Sequence, residues 1–537
     1  MASAPTRAGD TGGTILGHPK GLFILFFAEM WERFSYYGMR ALLIFYLTKH
    51  WLFSDGRASL IYGAYTSLVY ITPVLGGWLA DRYLGQRKAV VFGAVLLTFG
   101  HFLMAFEGNG GQTDPAINIF WLALSFIIMG TGFLKGNIST IVGKLYPRTD
   151  VRRDGAYTIF YMGINLGSFF GVLIAGYLGE TYGWAYGFGA AGVGMLLGLV
   201  VFVLGRPMLM ERAEAPDPAA LRRRVAGAPL EWLLYGAGLA GVLLMWVLVQ
   251  AQEVVGTLLL VSGAGLLLYI GWIAVTKLPR EDRDRILVII FLLLLQPVFW
   301  GLFEQAGASV SLFTDRHVDR TFLGQVIPTT WFQSVNAAFI IMLGPIFAAL
   351  WTLLGRRGLE PSTPAKFGLA IVQVGLGFLV LVWGTQAAGV DTPTSLWLVV
   401  LLYFLHTTGE LCLSPVGLSA MNRLAPWHMA SLIMGAWFFA TAGGNFVAGQ
   451  ISALAGAENA ESGEGAKQVF LDVWTTTGWV AVGIGIAVLV VSPLVKRLMH
   501  LDSLRDFDRD GTGHDALGED ELAEPAAAGF HPATRRD

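Results

Sequence analysis

The chain has 537 residues, 54% apolar and only 14% charged, with a mean hydropathy of +0.58 and a net charge of −2. Soluble domains carry about 25% charged residues, so this composition excludes an ordinary soluble protein, and its near-neutral balance offers no footprint for nucleic acid. A single cysteine, Cys412, excludes an intramolecular disulfide and a cysteine-based metal site.

Residues 1–20 are polar and read as a cytoplasmic N-terminus. The apolar run that follows is too long and too charged for a signal-peptide core. Runs of about 20 apolar residues read as membrane spans. The first, 21–48, contains FFAEMWERFSYYGMRALLIFYL and carries Glu29, Glu32, Arg33 and Arg40. Further spans are predicted at 58–80, 88–107, 116–143, 155–179 and 184–205, completing a six-helix bundle over 21–205. Between the second and third lies GGWLADRYLGQRK, Gly76 to Lys88. There Asp81, Arg82, Arg87 and Lys88 can latch neighbouring helix ends, and the glycines, Gly77 and Gly85 among them, permit a tight turn.

A basic linker with PDP and LRRR follows, and two very apolar spans come next, at 229–250 and 254–276, so the insertion occupies 206–285. GAGLAG, Gly236 to Gly241, fits a nucleotide-loop pattern but lies in a membrane span, so it reads as helix packing. A second six-helix bundle covers 286–497, with spans at 286–312, 329–354, 366–388, 395–422, 428–454 and 468–497. The polar, acidic tail, 498–537, is predicted to be a disordered cytoplasmic segment. Its DFDRDGTGHDAL begins like a calcium loop but ends on Leu517 where a bidentate Glu is required, so no metal site is assigned. The reading is an all-α integral membrane protein of fourteen transmembrane helices, arranged six, two and six.

Positive charge fixes the orientation. With a cytoplasmic N-terminus, only Lys49, Arg57, Arg316, Arg320 and Lys467 of the 36 Lys and Arg residues fall outside, and Arg33, Arg40 and Lys135 lie within spans. This bias places both termini in the cytoplasm.

The ionisable residues at membrane depth are Glu29, Glu32, Arg33, Arg40, Lys135, Glu304 and Glu410. Each costs roughly 2.5–3.5 kcal/mol at mid-bilayer on insertion scales, so they must face a bundle interior or a watery cavity. At about 100° per residue, Glu29, Glu32, Arg33, Tyr36, Tyr37 and Arg40 share one face of the first helix. Met30, Trp31, Phe34 and Leu42 make an opposite, lipid-compatible face. Acids outnumber bases, and burial favours a neutral carboxyl group, so an acid without a fixed partner can take up and release a proton. Depth sorts the rest into two cross-bundle pairs. Arg40–Glu304 lies in the outer half and Lys135–Glu410 on the inner side, which is the layout of two alternating gates. His406, one turn before Glu410, reads as a satisfied polar residue that could tune it.

The Gly76–Lys88 loop resembles that of the major facilitator superfamily. EMWERFSYYGMR is similar to the first-helix motif of its proton-dependent oligopeptide transporter family. GTGFLKGNIS, FYMGINLGSF, FEQAGASVSLFTDR, FQSVN, GELCLSPVGLS and ASLIMGAWFFATAGGN resemble further family segments, so the likeness runs over about 20–497. It implies the major facilitator fold, with two extra helices as in bacterial members. The implied function is a symporter that imports di- and tripeptides, and peptide-like drugs, by alternating access. The proton is the coupling ion and no cofactor is required.

By the same resemblance, Glu29, Glu32, Arg33 and Glu304 couple the proton. Tyr36, Tyr37, Arg40, Lys135, Asn165, Glu304, Asn336, Glu410 and Trp437 line the peptide site. Four departures stand out: Gly136 and Ala337 where proline is common, Phe303 where some members have a second acid, and no histidine in the second span. The alternative is a proton-coupled carrier of another small anion or metabolite such as nitrate, against which Lys135 and the intact first-helix motif weigh. No nucleophile–base pair or metal site points to an enzyme. The expected setting is the inner membrane, as a monomer in the lipid bilayer.

Overall fold

A computed structural model of the chain describes residues 13–146, 150, 152–209, 212–225, 227–456 and 464–503. The calcium-like stretch and nearly all of the predicted disordered tail lie outside the described residues. Lipid offers no hydrogen bonds, so each span must satisfy its backbone internally, and an α-helix does so.

The first bundle contains α1 (Lys20–Phe45), α2 (Asp55–Leu79), α3 (Gln86–Met104), α4 (Ile117–Lys144), α5 (Arg153–Tyr182) and α6 (Trp184–Leu204). The inserted pair is α7 (Leu230–Gln250) and α8 (Gln252–Lys277). The second bundle contains α9 (Arg280–Phe303), α10 (Ser334–Arg356), α11 (Thr363–Ala388), α12 (Leu396–Leu424), α13 (Ala430–Ala455) and α14 (Glu464–Leu498). The predicted spans agree with these to within several residues, except that the span at 286–312 runs past the end of α9.

Among the described residues, thirteen helices are long and apolar enough to cross a membrane. The fourteenth long helix is α1, 26 residues and about 39 Å at 1.5 Å per residue. Its charged stripe removes it from a count based on apolarity alone. The prediction of a lipid-compatible face on α1 is corrected: that face packs in its own bundle, with Phe34 and Leu42 buried and Met30 and Trp31 half-buried. α1 packs on α5 and α6, and Phe34 is 7% exposed. A Cβ on Gly194 of α6 would come 2.6 Å from the Phe34 ring, so small residues on α6 make room for the aromatics of α1.

α4 runs unbroken through Gly136, consistent with no proline there. α9 does not continue straight to residue 312. It ends at Phe303, passes through a 3₁₀ turn over Glu304–Gly307, and resumes as a short helix, Ser309–His317. A 3₁₀ turn over Thr329–Gln333 leads into α10, so Asn336 sits in that helix's first turn. GAGLAG lies within α7, where Gly238 faces Phe92 and Gly241 faces Met129, as the packing reading requires.

The two bundles meet along α2 with α13 and α5 with α10. The start of α1, the α2–α3 turn and the linker share one end of the molecule, here called the basic face. The closest inter-bundle approaches lie in the half away from it. Gly63 and Gly449 bring the α2 and α13 backbones so close that a Cβ on either would sit 2.8 Å from the other's Cα. Ser67 Oγ donates to the Ala442 carbonyl (2.9 Å) across the same seam. α7 lies on α4 and α2, while α8 lies on α9 and α13, so the inserted pair touches both bundles.

Candidate functional site

A cavity of about 200 Å³ opens between the bundles. Its walls include Arg33, Tyr37, Arg40, Lys135 and Asn165 from the first bundle, and Glu304, Asn336, His406, Glu410 and Trp437 from the second. The carboxylates of the cavity thus stand on one bundle and the Arg and Lys side chains on the other. Glu29, Glu32 and Tyr36 do not line it. Tyr36, expected in the wall, is 2% exposed behind Tyr37, with the two rings edge to face at 5.2 Å. Adjacent positions on a helix point about 100° apart, so only one of the two tyrosines can face inward.

α1 holds two charge clusters two turns apart. In the first, Arg33 Nε donates to Glu29 Oε1 (2.7 Å) and lies 3.2 Å from Glu32 Oε2. Both carboxylates are 1% exposed, and Glu29 Oε2 has no hydrogen-bond partner among the described residues. Two buried acids therefore share one guanidinium, and the trio is one positive charge short. In the second cluster, Arg40 forms an ion pair with Glu304 of the other bundle, and its Nε donates to Tyr62 Oη (2.6 Å). The break in α9 at Phe303 sets Glu304 at the start of a 3₁₀ turn, facing α1.

Lys135 points its ammonium at the face of Tyr70, 4.1 Å from the ring centre, within cation–π range. Glu410 Oε2 accepts from Asn336 Nδ2 (2.9 Å), which also donates to Thr407 Oγ1 (3.0 Å). The lower predicted pair thus lines one cavity, with Lys135 against Tyr70 and Glu410 against Asn336. Asn165, in the cavity wall, donates to Tyr161 O on its own helix (3.0 Å). His406 Nε2 lies 3.1 Å from the Val374 carbonyl, so it is tied to α11 by one ring nitrogen.

A second, apolar chamber of about 450 Å³ shares Tyr161, Asn165, Ile340, Glu410 and Ser414 with the first. It continues toward the basic face past Thr158, Pro415 and Leu418. At the opposite end the cavity is shut. Besides Arg40–Glu304, Arg316 pairs with Asp55, and Lys49 Nζ lies 2.6 Å from Asp315 Oδ2. Each of these joins one bundle to the other.

The loop motif holds helix starts at Asp81 and Lys88, as expected, while Arg87 binds the linker instead. Asp81 Oδ1 accepts from Gln86 Nε2 (2.6 Å) within its own turn. Arg87 binds Glu214 of the linker through Nε (2.5 Å) and Nη2 (2.8 Å), and Lys88 binds Glu231 at the start of α7 (2.7 Å). Gly85 has φ +76°, and a Cβ there would come 2.4 Å from Ala215 N, so glycine lets the linker lie on the turn. The Arg87 guanidinium beside Glu214 holds its carboxyl below the usual carboxylate range. Arg82 stacks near Tyr83 at 5.8 Å.

Tyr62, Tyr70, Glu214 and Glu231 are the partners that the sequence reading did not name. Tyr62 and Tyr70 share their span with Tyr65, Thr66, Ser67 and Thr72, and tyrosine also serves as an interface aromatic, so their only signal is eight-residue spacing on one helix.

Two helical bundles around a charged central cavity, closed at one end and continuous with a chamber toward the other, define a membrane carrier of the major facilitator type. The POT family model matches residues 87–468. The chain belongs to the POT family. Peptide transporter YePEPT of Yersinia enterocolitica is 39% identical over 469 residues, covering 82% of this chain and 88% of that protein. The uncharacterized transporter YclF of Bacillus subtilis is 37% identical over 498 residues, covering 90% and 95%. Among solved structures, a mutant of peptide transporter POT in complex with alafosfalin aligns with a TM-score of 0.79 at 34% identity, covering 91% of this chain and 97% of that one.

Proposed function

We propose that this chain is a proton-coupled symporter that imports di- and tripeptides by alternating access, and that it is not an enzyme. The observation that carries the reading is the division of charge across the cavity, with Arg33, Arg40 and Lys135 on one bundle and Glu304 and Glu410 on the other. A peptide zwitterion presents one carboxylate and one ammonium a short span apart. Arg40 and Lys135 suit the carboxylate, and Glu304 and Glu410 suit the ammonium. Asn165 and Asn336 suit the peptide amide, and Tyr37 and Trp437 suit side chains of varied shape. The alafosfalin complex of the similar structure supports extending the substrate class to peptide-like molecules.

The coupling ion in this reading is a proton, and no other cofactor is invoked. The Glu29–Arg33–Glu32 trio, one positive charge short, is where it binds. Protonating Glu304 is the second step, because it releases Arg40 for the peptide carboxylate and opens the outer end. The bundles then rock about the central site. Lys135 and Glu410 form the inner closure in the outward-open state and part as the cavity opens inward. The basic face is cytoplasmic, so both termini lie inside the cell membrane, and the protein acts as a monomer.

The test is proton entry driven by substrate. Liposomes holding the protein and a trapped pH dye should acidify inside when dialanine is added outside. N-acetyl-dialanine amide, which lacks both charges, should give no signal. Equal acidification by both would remove the zwitterion from the argument.

A further inference from the structure

The structure assigns a closing role to Glu180, which carries no part in the reading above. Glu180 stands at the end of α5 away from the basic face. Its Oε2 accepts from the Thr329 backbone N–H (2.9 Å) and its Oε1 from the Thr330 N–H (2.7 Å). Those are the first donors of the 3₁₀ turn that leads into α10, on the other bundle. The first N–H groups of a helix have no partner inside it. The residue before them is Pro328, whose side chain supplies no acceptor. A carboxylate from the opposite bundle fills that place and suits the positive end of the helix dipole.

The neighbouring contacts fit a close seam. Trp331 Nε1 donates to the Leu173 carbonyl of α5 (3.0 Å). A Cβ on Gly176 would come 2.2 Å from Thr330 Oγ1, so only glycine lets α5 lie this near. On the other side Thr329 Oγ1 donates to Asp315 Oδ1 (3.1 Å), whose second oxygen takes Lys49. The start of α10 is thus held between α5 and the end of α1. Unlike the ion pairs, this contact needs no cation, so pairing charges in the sequence does not find it.

Glu180 is thus a positioning residue for the transport cycle. Its carboxylate caps the start of α10 across the bundles and holds the outer end shut while the cavity is open to the basic face. The contact must break for that end to open. The consequence for transport rests on the symporter reading, but the contact and its effect on closure do not.

The experiment reads distance rather than uptake. Spin labels go on Tyr186→Cys of α6 and Trp397→Cys of α12, both exposed at the far end, in a Cys412→Ser background. Glu180→Ala should raise the population of long distances about tenfold, a figure for two charge-assisted hydrogen bonds discounted for the exposure of Glu180. Glu180→Gln, which keeps one acceptor, should fall between. Thr329→Pro removes one N–H at a position where proline suits a helix start, and should also raise that population when measured against Thr329→Val, which keeps the N–H and loses only the hydroxyl bond to Asp315. The double variant should exceed Glu180→Ala by little. An unchanged distance distribution in Glu180→Ala, or fully additive shifts, overturns the proposal. A loss of thermal stability with unchanged distances also counts against it, because a merely structural role gives that result. The distances are read without substrate, so a chain that carried no peptide would still report on the latch.

Discussion

Arg40 and Glu304 join the two bundles through an ion pair whose side chains are each only 8% exposed. Tyr62 completes the set by accepting from Arg40 Nε at 2.6 Å. A buried pair is costly to break from one side, because the partner left behind keeps its charge without compensation. In the proposed cycle the pair works as a switch: neutralise the acid, and the arginine must find another anion.

Glu304→Gln mimics that neutral state permanently. We expect the end away from the basic face to open and the thermal stability of the peptide-free protein to fall, by an amount on the order of 3–5 kcal/mol if nothing replaces the lost anion. Saturating dialanine should restore part of the loss, since its carboxylate can serve Arg40. Thermal melts with and without dipeptide measure both. The charge swap Arg40→Glu with Glu304→Arg should recover outer closure better than either single change.

Glu32→Gln removes one of the two acids that share Arg33. The trio then balances without a proton, and the driving force is uncoupled from the cycle. Uptake driven by an inward proton gradient should be lost, while counterflow of labelled against unlabelled peptide persists. Full gradient-driven uptake in this variant would remove Glu32 from the coupling site.

Lys135 is the second candidate for the peptide carboxylate. Lys135→Ala should raise KM for dialanine roughly tenfold, the scale of one charge-assisted hydrogen bond. The variant should also discriminate less between dialanine and its C-terminal amide. Tyr70→Phe keeps the aromatic face under the ammonium and should change KM little. Competition assays with the two ligands separate these outcomes.

Glu214 offers a pH-dependent test outside the membrane. Its carboxyl is held low, first by the hydrogen bond from Arg87. A depressed folded-state value stabilises above the unfolded value, about 4.3 for Glu, and the gain is lost as pH falls through the folded value. Wild type should therefore melt higher than Glu214→Gln at pH 7, with the gap narrowing as pH drops below about 4. A gap that stays constant would mean that the Arg87 contact contributes nothing through charge.

The spans and the charged stripe of α1 were legible because lipid imposes long apolar runs and makes each interior charge conspicuous. The same stripe hid α1 from a purely apolar count. Helical phase placed Arg33, Tyr37 and Arg40 toward the cavity, yet could not decide between Tyr36 and Tyr37, which depends on how α1 is rotated against α5 and α6. The Arg40–Glu304 pair was legible from depth alone. The hold of Arg87 on Glu214 was not, because a linker's path is set by tertiary packing. Glu180 at a helix end reads in the sequence as an ordinary surface charge, and its partners are backbone groups with no residue signature.

The most direct test of the central claim is gradient-driven accumulation. Purified protein in liposomes, with an inward proton gradient, should accumulate labelled dialanine above the level reached without the gradient. Unlabelled dipeptide should compete, and free alanine should not. Uptake that is indifferent to the gradient, or that alanine competes as well as dipeptide does, would contradict a proton-coupled peptide symporter.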